Sequence, residues 1–387
     1  MVLKIADRGH VPAFMVMEVM QAAADRVVSG KDVLHMEVGQ PGTAAPRGVR
    51  EAAKVAIDAD RLGYTVALGI DPLREAIAQH YRDLHGLDVP AERVVVTTGS
   101  SAGFLLSFLA CFNPGDRVAL AEPGYPCYRN ILLALGLTPV ALPVDHGSRY
   151  QPTVAMLEAL EEPLDGLILA SPSNPTGTMV SQNEMIALTR HCREHGIRLI
   201  SDEIYHGIGY GMNPVCAVGH DDDSVVINSF SKYFSMTGWR IGWMVVPMDL
   251  LRPIERLAQN FFISAPTLSQ HAAVAAFDCR EELQSNIAVY AANRDLLLDA
   301  LPRAGLNRLS QADGGFYIYA DISEWTDDSA AFCRALLDET GVAITPGLDF
   351  DPFRGAQTAR ISFSRGTSEI TEAARRLQAW MASRKRV

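Results

Sequence analysis

Residues 228–240 read Asn-Ser-Phe-Ser-Lys-Tyr-Phe-Ser-Met-Thr-Gly-Trp-Arg, a polar segment between two short apolar runs. The run before it, Val225 to Asn228, is a predicted strand. Lys232 would then lie at the carboxyl end of a sheet, where open α/β folds bind ligands. A single lysine is usually a solvated surface residue, but serine hydroxyls and Arg240 accompany this one, and a guanidinium can bind phosphate through two parallel hydrogen bonds. The segment therefore predicts an α/β fold with an anion site beside Lys232.

Short runs rich in β-branched residues alternate with helical patterns from about residue 46 to residue 280. They are nearly continuously apolar, which is typical of strands buried on both faces of a mainly parallel sheet. The predicted strands here are Arg93 to Thr98, Arg117 to Ala121, Gly166 to Ala170, Arg198 to Ser201, Val225 to Asn228 and Ile241 to Val246. This pattern predicts an α/β fold with helices on both faces of the sheet.

The remaining segments predict a smaller α+β domain. An N-terminal helix is expected over Pro12 to Val28 and a short strand over Val33 to Val38. Three more strands are expected after a long helical stretch, at residues 315–320, 342–345 and 359–364. We therefore predict a large domain over residues 46–280, with an N-terminal arm and a small domain formed by residues 1–45 and 281–387.

Composition and charge exclude two classes of partner. The 387 residues are 48% hydrophobic and 20% charged, which is typical of a fully folded globular protein. A net charge of -11 opposes nonspecific binding to nucleic acid. The most apolar stretch, Gly103 to Phe112, is far shorter than the roughly 20 residues that a membrane span requires. Neither nucleic acid nor a membrane is an expected partner.

The six cysteines are widely and irregularly spaced, with no CxxC pair and no histidine at zinc-ligand spacing. They are interpreted as reduced, mostly buried thiols. The N-terminus lacks the apolar run and cleavage site of a signal peptide. The sequence therefore predicts a cytoplasmic protein without a metal site.

Polar residues follow other predicted strands. Asp202 closes one of them, and burying a carboxylate there is costly unless it has a cationic or donor partner; the alternative is a helix N-cap. Tyr205 is either a donor in the same cleft or a packed aromatic. Asn174 lies in the turn Ser171-Pro-Ser-Asn-Pro-Thr-Gly177, where it either points into the cleft or only caps the turn.

Three more candidates are less specific alone. The loop Thr97-Thr-Gly-Ser-Ser-Ala-Gly103 precedes an apolar helix, so its backbone amides can cradle an anion, or Ser100 is a simple N-cap. Tyr125 either stacks on a flat ring or packs in the core. Arg360 lies in an apolar strand, where its guanidinium suits a carboxylate or makes a structural ion pair.

These groups match the needs of an enzyme that uses pyridoxal 5′-phosphate: an amine nucleophile, a carboxylate for the ring nitrogen, donors for the 3′-oxygen, a stacking ring and an anion site. Three motifs occur in the order typical of one family. They are Ser173-Asn-Pro-Thr-Gly177, Asp202-Glu-Ile-Tyr205 and Ser229-Phe-Ser-Lys-x-x-x-Met-Thr-Gly-Trp-Arg240. Over nearly its whole length the chain resembles the class I and II aminotransferases of pyridoxal-phosphate fold type I.

The resemblance implies a role for each candidate. Lys232 would bind the cofactor as a Schiff base and move a proton between the substrate Cα and the cofactor C4′. Asp202 would pair with the pyridine nitrogen, while Asn174 and Tyr205 would bind the 3′-oxygen. The residues that would hold the phosphate are Ser100, Ser101, Ser229 and Arg240. Tyr125 would stack on the ring. The residues that would bind the substrate are Arg360, Asn174 and the backbone of Gly39, with the α-carboxylate on Arg360 and Gly39.

Tyr64, in Gly63-Tyr-Thr-Val-Ala-Leu-Gly69, matches a family tyrosine that reaches the phosphate of the partner subunit. The resemblance therefore implies a homodimer with shared active sites. It also implies a ping-pong reaction in which an amino acid and then a 2-oxo acid use the same site. The apolar segment Val11 to Met17, which lines the side-chain pocket in relatives, favours neutral or aromatic substrates. A C–S lyase or another lyase on the same fold is the alternative activity.

Overall fold

The computed structural model describes residues 3–59 and 62–386, and its strands form three sheets. The strands are β1 (Leu34–His35), β2 (Val94–Thr97), β3 (Arg117–Glu122), β4 (Thr138–Pro143), β5 (Gly166–Ala170), β6 (Arg198–Asp202), β7 (Val225–Ser229), β8 (Gly242–Val245), β9 (Tyr317–Asp321), β10 (Val342–Ala343), β11 (Thr345–Pro346) and β12 (Thr358–Ser362). The α-helices are α1 (Met15–Val28), α2 (Arg47–Ala59), α3 (Asp71–His85), α4 (Ser100–Cys111), α5 (Pro126–Leu135), α6 (Val154–Glu158), α7 (Gln182–Glu194), α8 (Met248–Phe261), α9 (Thr267–Val274), α10 (Arg280–Arg303), α11 (Ser329–Thr340) and α12 (Thr367–Ala382).

The largest sheet has seven strands in the order β2-β8-β7-β6-β5-β3-β4. β8 is antiparallel to both of its neighbours, and the other strand pairs are parallel. The carboxyl ends of β5, β6 and β7 therefore meet at one edge of the sheet. The loops that follow these strands carry the polar motifs. This sheet confirms the predicted α/β class and the mainly parallel arrangement.

Successive residues of the central strands enter two different hydrophobic clusters. In β5, Leu167 and Leu169 belong to one cluster and Ile168 to the other. In β6, Leu199 and Ile200 divide in the same way. Because successive side chains of a strand point to opposite faces, both faces of the sheet are buried. The continuous apolar runs of the sequence have this structural cause.

A smaller antiparallel sheet has the order β11-β12-β9, and β1 pairs in parallel with β10. The N-terminal segment is thereby joined to the C-terminal part of the chain. The helix expected over 12–28 begins only at Met15, and the strand expected over 342–345 is divided into β10 and β11. The proposed boundary at residue 280 coincides with the start of α10, and the division into domains stays a prediction.

The apolar stretch Gly103 to Phe112 falls largely in α4, which packs against β7, β8 and α8 as a core helix. Within the described ranges, no helix is both long enough and apolar enough to cross a bilayer.

Candidate active site

Several predicted site residues lie at the carboxyl ends of strands in the large sheet, whereas Arg360 lies in β12 of the smaller sheet. Asp202 is the last residue of β6 and pairs in register with Ala170 of β5 and Ile227 of β7. Asn174 follows β5, and Lys232 follows β7. The parallel register therefore brings three separate sequence motifs to one edge of the sheet.

Lys232 is half-buried, and its Nζ donates a hydrogen bond of 2.6 Å to the backbone oxygen of Gly39. The Nζ atom also lies 5.8 Å from the ring centroid of Tyr205. Burial, and then the positive charge of Arg360, lowers the pKa of Lys232 to about 8, although the nearby Asp202 opposes this shift. A substantial fraction of this amine is therefore uncharged in mildly alkaline solution, as a nucleophile requires.

Asp202 is 3% exposed, and within the described residues its hydrogen-bond partners are neutral donors and not cations. The hydroxyl of Tyr128 donates to its Oδ2, and the backbone N–H of Ile204 donates 3.1 Å to its Oδ1. Burial raises the pKa of Asp202 to about 6, against the opposing effect of these bonds and of Lys232. A protonated ring nitrogen would supply the missing positive charge, so this carboxylate fits a pyridinium partner.

The N-terminus of α4 and Arg240 lie side by side. Gly99, the residue before α4, has a φ of 75°, and a Cβ added to it would lie 2.5 Å from Nη2 of Arg240. Glycine alone tolerates both the backbone conformation and this close approach. Within the described residues no side chain caps α4, so the N–H groups of its first turn, beside the guanidinium, are left for another acceptor.

Serine hydroxyls accompany this pair. Ser100 and Ser101 are the first residues of α4, and the Oγ of Ser229 donates 2.9 Å to the Oγ of Ser231. A helix N-terminus, a guanidinium and hydroxyl groups together suit a phosphate dianion. The predicted phosphate-binding residues of this chain thus fit the group that the sequence implies.

Arg360 is 2% exposed and makes hydrogen bonds to three different segments. Its Nη1 donates 2.9 Å to Oδ1 of Asn174, and its Nη2 donates to the backbone oxygen of Glu37 and, at 3.3 Å, to Oγ1 of Thr345. No carboxylate is among these partners, so the sequence alternative of a structural ion pair is not what the structure contains. The buried Nε has no hydrogen-bond partner within the described residues. An incoming carboxylate would satisfy that orphaned donor.

Two aromatic rings hold the guanidinium of Arg360. Its Cζ lies 4.6 Å from the ring centroid of Tyr317 and 4.7 Å from that of Phe350. The hydroxyl of Tyr317 in turn lies 2.8 Å from that of Tyr205. A Cβ on Gly39 would lie 1.7 Å from the Tyr317 hydroxyl, so only glycine fits at this position. The packing fixes Arg360, Tyr205 and Gly39 relative to one another.

Tyr125 and Tyr64 occupy different surroundings. Tyr125 immediately precedes α5, and its ring makes edge contacts with Tyr128 at 5.3 Å and with Phe14 at 5.9 Å between centroids. Its predicted stacking on a cofactor stays a prediction. Tyr64 is 83% exposed, so its side chain is directed outward from this subunit.

Sequence reasoning missed Tyr128 and Tyr317. Tyr128 lies in the motif that provided Tyr125, three residues later and therefore on the same side of α5. Tyr317 lies in β9, whose residues are almost all buried, so no alternation of polarity marks it. Spacing on α5 offered a signal for the first tyrosine. No signal in the sequence was available for the second.

Comparisons with known proteins agree with this geometry. Residues 31–377 match the family model for aminotransferase class I and II. The chain is 51% identical over 384 residues to the valine–pyruvate aminotransferase of Mycobacterium tuberculosis, covering 98% of this chain and 99% of that protein. It is 32% identical to a (5-formylfuran-3-yl)methyl phosphate transaminase of Methanocaldococcus jannaschii, covering 95% of this chain and 97% of that protein.

A solved aminotransferase structure from Mycobacterium tuberculosis superposes with a TM-score of 0.97 at 51% identity, covering 99% of this chain and all (100%) of the other. The aspartate aminotransferase of Thermus thermophilus with maleate superposes with a TM-score of 0.91 at 28% identity, covering 98% of this chain and 100% of the other. These likenesses confirm the predicted fold type and favour amino-group transfer over the lyase alternative. The chain belongs to the class I and II aminotransferase family, whose members move an amino group between an amino acid and a 2-oxo acid.

Proposed function

We propose that this protein is a pyridoxal-phosphate-dependent aminotransferase for neutral amino acids such as valine, with pyruvate as an amino acceptor. One observation carries the cofactor assignment: three groups lie together at the carboxyl ends of the strands. They are the half-buried amine of Lys232, the buried carboxylate of Asp202, which has no hydrogen-bonded cation among the described residues, and an anion cradle formed by the N-terminus of α4 and Arg240. The substrate assignment is supported by 51% identity over the whole chain to a valine–pyruvate aminotransferase.

The bound cofactor would supply an electron sink next to the substrate Cα. Lys232 would hold it covalently and then carry the proton to and from the substrate Cα. The carboxylate of Asp202 would keep the ring nitrogen protonated, which is what makes the ring electron-poor. Asn174 and Tyr205 would bind the ring oxygen, and Tyr125 would pack on the ring face.

The remaining groups would orient the reactants. The phosphate would be bound by Ser100, Ser101, Ser229, Arg240 and the amides at the start of α4. The α-carboxylate of the substrate would be bound by Arg360, with help from Asn174 and the backbone of Gly39. Because one guanidinium would serve both the amino acid and the 2-oxo acid, the two substrates would use the site in turn, which is a ping-pong scheme.

An apolar cluster beside Arg360 supports a neutral or aromatic substrate side chain. Phe350, whose ring packs on the guanidinium, shares this cluster with Val16 and Phe14. Asp349 anchors the segment by accepting hydrogen bonds of 3.0 Å from the backbone N–H of Met15 and 3.1 Å from that of Val16. The start of α1 is therefore fixed against the loop that carries Phe350. A carboxylate side chain would lose hydration against these apolar groups.

We also propose a cytoplasmic homodimer. The 83% exposure of Tyr64 supports the dimer, because a side chain that serves a partner's site must point away from its own subunit. The six cysteines, which are all free thiols, support a reducing compartment. The two proposed domains, residues 46–280 on one side and residues 1–45 with 281–387 on the other, would hold the substrate between the two sheets.

A panel of half-reactions tests the proposed substrates. The holoenzyme is mixed with one amino acid at a time, and the absorbance of the lysine-bound cofactor is followed. Valine and alanine are expected to discharge this absorbance at least about tenfold faster than aspartate, because the side-chain carboxylate of aspartate would lose hydration against the apolar cluster, and a tenfold difference in rate requires only about 1.4 kcal/mol. Pyruvate added afterwards should restore the absorbance.

Two outcomes would contradict this proposal. Faster reaction with aspartate than with valine would exclude the neutral-substrate assignment. Release of ammonia from the amino acid without any 2-oxo acid would instead indicate a lyase.

Arg360 gives a second prediction, about substrate binding. Replacing Arg360 with alanine is expected to raise the KM for valine and for pyruvate and to lower kcat/KM by about 30- to 5,000-fold, because losing one partner of a buried charge pair costs about 2–5 kcal/mol. Arg360→Lys should recover only a small part, since an ammonium cannot fill the planar space between Tyr317 and Phe350. Steady-state kinetics with both substrates measure the effect.

The matched control is Arg308→Lys, a change of a 61% exposed arginine, which should leave both KM values unchanged. Unchanged KM values in Arg360→Ala would remove Arg360 from the substrate site.

A further inference from the structure

Four side chains with metal-binding atoms converge where the end of α3 meets the loop after β6. One ligand atom from each of His85, Glu203 and Cys216 lies within 4.8 Å of the other two. The Nδ1 of His206 lies 3.2 Å from Nε2 of His85 and 3.2 Å from Oε2 of Glu203. None of the four members of this cluster, His85, Glu203, His206 and Cys216, is a proposed cofactor or substrate residue, although Glu203 and His206 directly follow Asp202 and Tyr205 in the chain.

Glu203 is 0% exposed, and its two carboxylate oxygens differ. Oε1 accepts hydrogen bonds of 3.0 Å from the Oγ of Ser201 and 2.8 Å from the backbone N–H of Ala217. Oε2 is buried and has no partner with hydrogen-bond geometry, although the ring of His206 is close. A buried carboxylate oxygen without a donor or a cation is unfavourable. Oε2 of Glu203 therefore requires a proton or a cation.

The Nδ1 atom of His206 lies close to Oε2 of Glu203 and carries a lone pair. Its Nε2 lies 3.0 Å from the backbone oxygen of Ser171 and donates to it, because a carbonyl only accepts. Nδ1 is then unprotonated in the neutral ring. A second ring nitrogen bonded to a backbone carbonyl is the arrangement that orients metal-binding histidines.

We propose that His85, Glu203, His206 and Cys216 form a tetrahedral site for a borderline-soft divalent cation such as Zn²⁺. Imidazole, thiolate and carboxylate are the ligands that zinc takes in proteins, and ligands at about 2.0–2.1 Å in a tetrahedron stand about 3.3 Å apart. The two separations of 3.2 Å from Nδ1 of His206 match that spacing, while the ligand atoms of His85, Glu203 and Cys216 lie within 4.8 Å of one another and would move closer on binding. On binding, the thiol of Cys216 would lose its proton to solvent and coordinate as thiolate.

The expectation of no metal site rested on spacing along the chain. Three of these residues lie within 14 positions of one another (203–216), but His85 comes from α3, more than 100 residues earlier, so no zinc pattern is visible in the sequence. Folding brings them together, because α3 packs beside the end of the large sheet.

The test uses tag-free holoenzyme, dialysed against chelator and titrated with Zn²⁺. One Zn²⁺ per chain is expected by elemental analysis, together with a higher melting temperature, because a ligand that binds only the folded state stabilises it. Titration with Co²⁺ should give the absorption bands of tetrahedral Co²⁺ in the red region, where pyridoxal phosphate does not absorb. These readouts do not depend on catalytic activity.

Matched variants assign the site. His85→Gln, at the half-buried end of α3, is expected to weaken Zn²⁺ binding by more than about tenfold and to abolish the tetrahedral Co²⁺ bands. Cys216→Ser should do the same, whereas Cys192→Ser, which changes another buried cysteine outside the cluster, should bind as the unaltered protein does. If Cys216→Ser fails to fold, His85→Gln decides alone. Absence of stoichiometric Zn²⁺ and of a melting shift, or equal binding in His85→Gln, would overturn the proposal.

Discussion

Replacing Lys232 with alanine is expected to lower amino-group transfer by at least about 10⁴-fold, the upper range for removing a positioned general base, since this residue would also hold the cofactor. Among the described residues, Lys232 is the lysine whose charge acts on Asp202. Single-turnover reactions of the loaded variant with valine, and separately with pyruvate, measure the effect. Both half-reactions should be lost, because the same amine would move the proton in each direction.

Two variants distinguish this role from a structural one. Lys54→Ala, which changes a lysine 68% exposed on α2, should react at the normal rate. Lys232→Arg keeps a positive charge but has too high a pKa to lose its proton, so it should be as inactive as the alanine variant. Added methylamine should restore part of the activity of Lys232→Ala by supplying a small base. Turnover of Lys232→Ala within about tenfold of normal would exclude Lys232 as the catalytic amine.

The strands that the sequence predicts well are those whose burial produces a recognisable local pattern of apolar residues. β5, β6 and β7 are buried on both faces, so each is a continuous apolar run. β4 (Thr138–Pro143) was missed because Pro139 and Pro143 argue against a strand. It tolerates them because it is an edge strand that pairs only with β3. Its position at the edge is a property of the whole sheet, which no local pattern contains.

The direction of a strand in the sheet also could not be predicted from its composition. The run from Ile241 to Val246 is as apolar as its parallel neighbours, but β8 runs antiparallel to β7 and β2. Burial on both faces sets the composition of a strand regardless of its direction. The connection from Ser229 to Gly242 contains a single 3₁₀ turn (Thr237–Trp239) and no α-helix, whereas the crossover of a parallel return is usually an α-helix. The lack of a helical pattern in the connection, more than the composition of the strand, carried that information.

The candidate site shows the same division between local and long-range information. Lys232 and Asp202 follow directly from motifs at strand ends, where a charged residue in an apolar setting is conspicuous. The partners that set their chemistry are long-range: Tyr128 reaches Asp202 from α5, and Gly39 reaches Lys232 from the N-terminal segment. A sequence motif can therefore identify a candidate functional residue. The pKa of that residue depends on neighbours that are distant in the sequence and close only in the folded protein.

Replacing Asp202 with asparagine is expected to lower kcat/KM for valine by at least about 100-fold, because breaking a buried charge pair costs about 3–5 kcal/mol. The amide keeps the size of the side chain and can still bond to Tyr128 and to the N–H of Ile204. It has no charge to keep a ring nitrogen protonated. Steady-state kinetics with valine and pyruvate measure the loss, and near-normal kcat/KM would show that Asp202 does not serve the cofactor.

The same substitution is expected to stabilise the cofactor-free protein, and pH separates this effect from damage to the fold. Burial raises the pKa of Asp202 from 3.8 to about 6, so ionising this carboxyl destabilises the folded state by up to about 3 kcal/mol above pH 6. That cost is absent below about pH 4, where the carboxyl is protonated whether the chain is folded or unfolded. Asp202→Asn should therefore raise the free energy of unfolding at pH 8, and the gain should shrink as the pH falls from 6 to 4.

Urea denaturation of both apoproteins from pH 4 to pH 8 measures this change in the free energy of unfolding. The control is Asp295→Asn, a change of a 74% exposed carboxylate, which should show no such trend. A loss of stability that is the same at every pH would mean that Asp202 is held by its hydrogen bonds for structural reasons. A gain in stability that is full above about pH 6 and disappears by about pH 4, together with lost activity, would show that the charge of Asp202 serves the cofactor and destabilises the cofactor-free protein.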